Sequence, residues 1–191
     1  MKNKNEIIDF LLSRRSNSAR LLKAPVPSEE DIKIILTAAA RTPDHGKLEP
    51  WRFLIIEQPA MSRLTKAIED RGIEKGISKE KLEKNASVFE NAQLIIGVVA
   101  SPKETHRIPV VEQYLSAGAV CLALLNSAHA LGWGANWLTG WMAYDDSFLM
   151  SSLGLNPGEF IAGFIHLGTA QAVPVERLRP DISSLTTNIE T

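Results

Sequence analysis

Cysteine occurs once in the 191 residues, at position 121, so no disulfide can close within the chain. A lone thiol also gives a cysteine-based metal site little to work with, and His45, His106, His129 and His166 lack the paired spacing of a zinc site. Neither sign of charge prevails: 21 basic against 22 acidic side chains leave a formal net charge of −1. Without a global positive field there is no reason to expect nucleic acid or an anionic membrane as partner, and any anion site must be built locally. Long hydrophobic runs are missing too. The longest apolar stretch, residues 117–131, contains Asn126 and His129 and falls short of the roughly 18 apolar residues of a membrane span, so it reads as a buried helix.

Several motifs are incomplete. A dinucleotide fingerprint needs a third glycine where Trp137 follows Gly132 and Gly134, and neither a phosphate-binding Walker loop nor a G-x-S-x-G serine is present. Asp9 interrupts the apolar run of the N-terminus and no small-residue cleavage site follows, so a signal peptide is not expected and the cytoplasm is the expected compartment. Cys121 lies among Val120, Leu122, Ala123 and Leu124 with no basic neighbour, which describes an inert packed thiol.

What is present is an ordinary globular composition, 45% hydrophobic and 23% charged, in a length suited to one domain spanning residues 1–191. Ile7, Ile8, Leu11 and Leu12 recur at helical spacing and stop at Ser13-Arg14-Arg15-Ser16. Ser28, with Asp31 three positions on, starts a second helix that must end before Pro43. Residues 44–50 form a loop, and the aromatic and β-branched run Trp51 to Ile56 reads as a strand. Residues 59–92 are polar and helical in pattern, which suggests a solvated excursion or lid. Residues 94–100 are continuously apolar, as a strand covered on both faces would be. A long helix over 112–131 carries Ser116, Ala117, Gly118, Ala119, Ala123 and Ala128, small enough for another backbone to approach. A strand over 160–168 and an extended tail from Val173 complete the chain. Helices interleaved with a few apolar strands imply a layered α/β/α sandwich of the α+β class.

Three features carry candidate chemistry. Arg14, Arg15 and Ser16, at the end of the first helix, can hold a phosphate by forked charge-assisted hydrogen bonds, or can simply complement the helix macrodipole. Arg41 and His45 put a guanidinium and an imidazole on a loop just ahead of a buried strand, a common place for a ligand and equally a plain connection. The stretch from Gly132 to Trp141 interleaves glycines with three tryptophans: its glycines let backbone N–H groups come close to a flat ring, while its tryptophans either wall such a ring or fill the core.

In sequence order, the Arg-Arg-Ser at 14–16, the loop from Pro43 to Pro50-Trp51, the small-residue central helix and the Leu131-Gly132-Trp133-Gly134 turn resemble the nitroreductase family, and its short bacterial members in particular. The likeness runs from about residue 6 to residue 180. It implies a mixed central sheet of four to five strands in an intertwined homodimer whose extended termini wrap the partner, with FMN at the subunit interface. Carried over by position, it implies that Arg14, Arg15 and Ser16 contact the FMN phosphate, ribityl chain or pyrimidine edge, and that Arg41 and His45 approach the same flavin from the partner chain. It implies further that Trp137, Leu138, Thr139 and Gly140 pass along the isoalloxazine and that Arg179 reaches the phosphate. The activity implied is transfer of reducing equivalents from NADH or NADPH to a small electron-poor acceptor, such as a nitroaromatic or quinone, by a ping-pong scheme. Other flavin chemistry on the same scaffold (enone reduction, dehalogenation, flavin breakdown) and non-catalytic flavin binding stay open at this point. Lys47 and Glu49 stand where many members have asparagine and glutamine, which bears on the polar contacts of that loop.

Overall fold

Local chemistry sets most element boundaries. In the computed structural model, which describes residues 4–189, the chain runs through α1 (Lys4–Ser13), β1 (Leu22–Lys23), α2 (Glu29–Ala39), β2 (Trp51–Glu57), α3 (Gln58–Glu74) and α4 (Lys79–Glu90). It continues through β3 (Leu94–Ala100), α5 (Val110–Ala130), β4 (Gly134–Leu138), α6 (Asp146–Leu153) and β5 (Phe160–Ala170). The expected capping box starts α2: Ser28 Oγ accepts from Asp31 N at 3.1 Å, and the Asp31 carboxylate accepts from Ser28 N at 3.3 Å. Asp145 caps α6 by accepting from Phe148 N, and Gly154, in the left-handed region at φ +66°, ends it.

The sheet is assembled on β5. Its first part pairs with β3, which in turn pairs with β2; its other edge takes β4, and its last residues take β1. Every pairing is antiparallel, which corrects the expectation of a mixed sheet. The reason lies in the path of the chain: β3 and β4 do run parallel to each other across the helix α5, but β5 inserts between them and opposes both.

Helices cover both faces, so the three layers are as expected. On one face Met61, Leu64 and Ile68 of α3, Leu82 and Phe89 of α4, and Phe148 and Leu149 of α6 pack on Ile95, Val99, Ile161 and Phe164. The segment 59–92 is therefore not a lid; its two helices form half of a core layer. On the other face Ile35 of α2 and Val120, Cys121, Leu124 and Ala128 of α5 pack on Ile96, Val98, Ile165 and Leu167. Each residue of β3 is buried, as its unbroken apolar run requires. The length and apolar composition of α5 would allow it to cross a membrane, but it serves here as a core helix, and burial pushes the Cys121 thiol up to about 12.

Some apolar surface has no partner within one chain. Ile7, Ile8, Leu11 and Leu12 of α1 are all exposed, as are Val111, Leu115 and Leu122 of α5 and Val173, Leu178 and Ile182 of the tail.

His166 is the unusual core residue. It is buried on β5, its ring edge-on to Phe89 at 5.9 Å, and neither ring nitrogen has a partner among the described residues. Burial lowers its pKa from the ordinary 6.5 to about 4. Between those values the unfolded chain takes up a proton that the fold refuses, so this contribution to stability is complete above pH 6.5 and is lost as pH falls to about 4. The linkage relation puts the loss between pH 7 and pH 5 at about 2 kcal/mol. Urea titrations of the parent should show that decline and His166→Phe should keep less than half of it; parallel pH profiles for the two proteins would rule the assignment out.

Candidate functional site

The segment that follows α1 is fixed by one side chain. Asn17 is buried and lies beside β4: its backbone N–H donates to Ala135 O at 3.0 Å, its Oδ1 accepts from Ala135 N at 3.3 Å, and its carbonyl accepts from Asn136 Nδ2. These bonds dock Arg14, Arg15 and Ser16 against the strand whose far end is Leu138. Sequence periodicity gives no sign of Asn17 or Asn136 as docking residues, because one polar residue in a loop has no spacing to read.

Arg14 is half-buried, and its Nη1 is buried without a hydrogen-bond partner among the described residues. It lies close enough to His129 of α5 to help hold that imidazole below its ordinary pKa, behind burial as the main cause. Arg15 donates through Nη1 to the carbonyl of Val175 and, at 3.3 Å, to Glu176 Oε1. The same carboxylate oxygen lies 2.9 Å from Arg179 Nη2. An exposed carboxylate thus sits between two guanidiniums that are far apart in sequence, in the position an anionic group would occupy to neutralise both. Beside it is a cleft of about 390 Å3 lined by Ser13, Arg15, Asn17, His129, Trp133 and Glu176. Ser16 is exposed next to Asn17. Glu176 was not foreseen from the sequence, where it is one acid in a polar tail.

Beyond the arginines, β4 leads to the glycine at its exit. Trp137 turns its indole toward the α5 side, donating to Ala162 O at 3.1 Å. A Cβ on Gly163 would meet that ring at 2.3 Å, so glycine there is what admits it. The ring is consumed in packing, and what Trp137 offers a ligand is backbone. Leu138 is half-buried opposite Phe164, and Thr139 is exposed. Gly140 has φ +153°, outside the range of ordinary side chains, and a Cβ there would lie 2.7 Å from Met142 Sδ. Only glycine fits where the chain leaves the sheet.

Arg41 and His45 lie elsewhere on the molecule. Arg41 is exposed past the end of α2, at a shallow groove with Glu30, Lys33, Ile34 and Thr37. His45 Nδ1 is 2.7 Å from Glu112 Oε2 of α5. Their loop is held by Ser116 Oγ, which donates to Pro43 O at 3.0 Å, and by Asp44 Oδ1, which accepts from Leu48 N at 2.6 Å. Lys47 and Glu49 both adopt positive φ, 54° and 47°, at a cost of about 1 to 3 kcal/mol each. That conformation presents both side chains on a strained turn.

The chain is similar to several known proteins in sequence and in fold. The sequence profile described as the nitroreductase family matches residues 11–169. The Escherichia coli (strain K12) protein named "Putative NAD(P)H nitroreductase YdjA" is 34% identical over 166 residues, which is 87% of this chain and 89% of that one. A Haemophilus influenzae protein named "Putative NAD(P)H nitroreductase" is 32% identical, over 86% and 88%. Among solved structures, a nitroreductase-like family protein from Bacillus cereus superposes with a TM-score of 0.82 at 22% identity, covering all of both chains. A nitroreductase with bound FMN from Bacteroides fragilis gives 0.77 at 20% identity, covering 98% of this chain and all of that one.

If Asn17 is the dock, Asn17→Ala should release the Ala135 amide. A lost hydrogen bond of about 1 kcal/mol corresponds to about fivefold faster hydrogen exchange at that amide. Unchanged protection, measured by NMR, would show that the backbone pairing alone holds the segment.

Proposed function

Because this chain belongs to the nitroreductase family, we propose that it binds FMN and transfers reducing equivalents from NADH or NADPH to a small electron-poor acceptor, working as a homodimer. The observation that carries this reading is the Glu176 carboxylate held between Arg15 and Arg179. Arg15 and Arg179 fit a phosphate: it would displace an exposed carboxylate whose loss leaves no buried group unpaired. Ser16 adds a hydroxyl donor to the same group. FMN bound at solved relatives of the same fold supports the choice of ligand.

When bound, FMN supplies the two-electron chemistry by which a nicotinamide can reduce an acceptor it never meets. The protein's part is orientation and electrostatics. The dock at Asn17 sets the arginines at one end of β4, and the backbone from Trp137 to Gly140 at its other end would lie along the flat ring. The positive charge of Arg14 and Arg15 favours whichever ligand state is more anionic. No side chain on this path needs to move a proton, and a nicotinamide and an acceptor sharing one open face must visit it in turn, which is ping-pong kinetics.

The dimer is supported by the apolar rows left without a partner on α1, α5 and the tail, the kind of surface that closes a subunit interface. A second copy is also what would bring Arg41 and His45 to a site that they do not reach within their own chain.

Arg15→Ala tests the reading directly. Loss of a charge-assisted pair to phosphate corresponds to about tenfold to a hundredfold weaker FMN binding, measured by quenching of flavin fluorescence on titration. Equal affinities in parent and variant would remove Arg15 from the site.

A further inference from the structure

After β5 the chain continues as a tail with little hold on the rest of the molecule. Of residues 172–189 only Pro174 is half-buried; all the others are exposed, the apolar Val173, Val175, Leu178 and Ile182 among them. Among the described residues, every hydrogen bond and ion pair between this tail and the body comes from one side chain, Arg15, which donates to Val175 O and to Glu176 Oε1. The other bonds of the tail are internal to it. A segment that buries almost no apolar surface is therefore placed by a single guanidinium.

The two partners in this anchor are unequal. The Arg15 side chain is 15% exposed, that of Glu176 66%. A guanidinium so covered is costly to leave without an acceptor, because water reaches it poorly, whereas an exposed carboxylate is rehydrated as it leaves. Arg15 thus needs an anion, and Glu176 is free to give way to another. Its Oε1 also accepts from Arg179 Nη2 at 2.9 Å and from the N–H of Arg177 at 2.8 Å. One carboxylate oxygen joins the guanidinium of the body to that of the tail, a bridge that a phosphate, with three oxygens and more charge, makes more strongly.

We propose that Glu176 is a latch standing in for the cofactor phosphate: in the empty protein it fastens the tail to Arg15, and on loading the phosphate expels it and bridges Arg15 to Arg179 in its place. The inference rests on the function proposed above for the identity of that phosphate, and adds to it an internal competitor that holds the tail before the cofactor arrives. A carboxylate that competes weakens FMN binding; one that only aligns the two arginines strengthens it. The sign of one substitution separates the two roles.

Glu176→Gln keeps the shape of the side chain and removes its charge. It should bind FMN about two- to fivefold more tightly than the parent, the range of an exposed ion pair, measured by quenching of flavin fluorescence, while Asp181→Asn, which removes the same charge elsewhere in the tail, should bind as the parent does. The latch itself is read without flavin. Trypsin can cut the tail only after Arg177, because Pro180 follows Arg179 and neither lysine nor arginine lies beyond. Loss of residues 178–191, followed by mass spectrometry and taken relative to cutting of the matching free tail peptide, then reports how often the tail is open. In flavin-free protein that loss should be about two- to fivefold faster in Glu176→Gln and in Arg15→Ala than in the parent. Saturating FMN should slow it again in Glu176→Gln, where the phosphate rejoins the two arginines, and not in Arg15→Ala. Weaker or unchanged FMN binding in Glu176→Gln, an equal gain in Asp181→Asn, or equal cutting of the three flavin-free proteins would overturn the latch and leave the flavin assignment standing. A parent that takes up no FMN would instead contradict the proposed function, with the flavin-free cutting rates still deciding whether Glu176 and Arg15 hold the tail.

Discussion

The proposed site depends on the bonding of Asn17 to the edge of β4. The apolar residues of helix α1 are exposed except for the half-buried Phe10, so little in its own packing decides where the arginines after it go. One buried asparagine does, by pairing backbone and side chain with Ala135 and accepting from Asn136. The contact spans more than half the chain, and the loop entropy it must overcome grows only slowly with that separation. Once it forms, the Arg14–Ser16 segment, β4 and the tail arginine become one surface.

The sheet provides the stiffness behind that surface. Because β5 pairs with β3, β4 and β1, it connects the buried interior to the strand beside the proposed site. At one end of it, charge is used to hold position: Arg52 with Glu159, and Arg71 and Lys75 with Asp145. The Arg52 guanidinium holds the Glu159 carboxyl at about 2, and Arg71, foremost among the partners of Asp145, holds its carboxyl well below the usual carboxylate range. Ion pairs of this kind add little net stability when both partners are desolvated, yet removing one partner is costly. They fix geometry more than they strengthen the fold.

Legibility in the sequence followed from what each pattern encodes. The unbroken run of β3, the capping box at Ser28 and the small, apolar length of α5 report burial and local hydrogen bonding, and all three were readable. Strand direction is not encoded in a two-residue period, so the insertion of β5 between β3 and β4, and with it the antiparallel sheet, was not. Residues 59–92 read as solvated because their outward faces are so charged; Met61, Leu64, Ile68 and Phe89 are too sparse in that background to announce a core layer. In the site, Arg14 and Arg15 stood out as a pair, whereas Asn17, Asn136 and Glu176 act through single contacts with distant residues. Trp137 was visible as a ring, but which side of β4 it faces depends on the glycine at 163 across the strand.

The central claim is that a phosphate-tailed flavin lies where these arginines meet, in a particle made of two chains. Analytical ultracentrifugation of the protein with added FMN, followed at a visible wavelength that only flavin absorbs, tests both halves at once. The account predicts flavin colour sedimenting with a species of twice the chain mass, one FMN per chain. Colour left at the meniscus as free flavin, or travelling with a single chain, would contradict it.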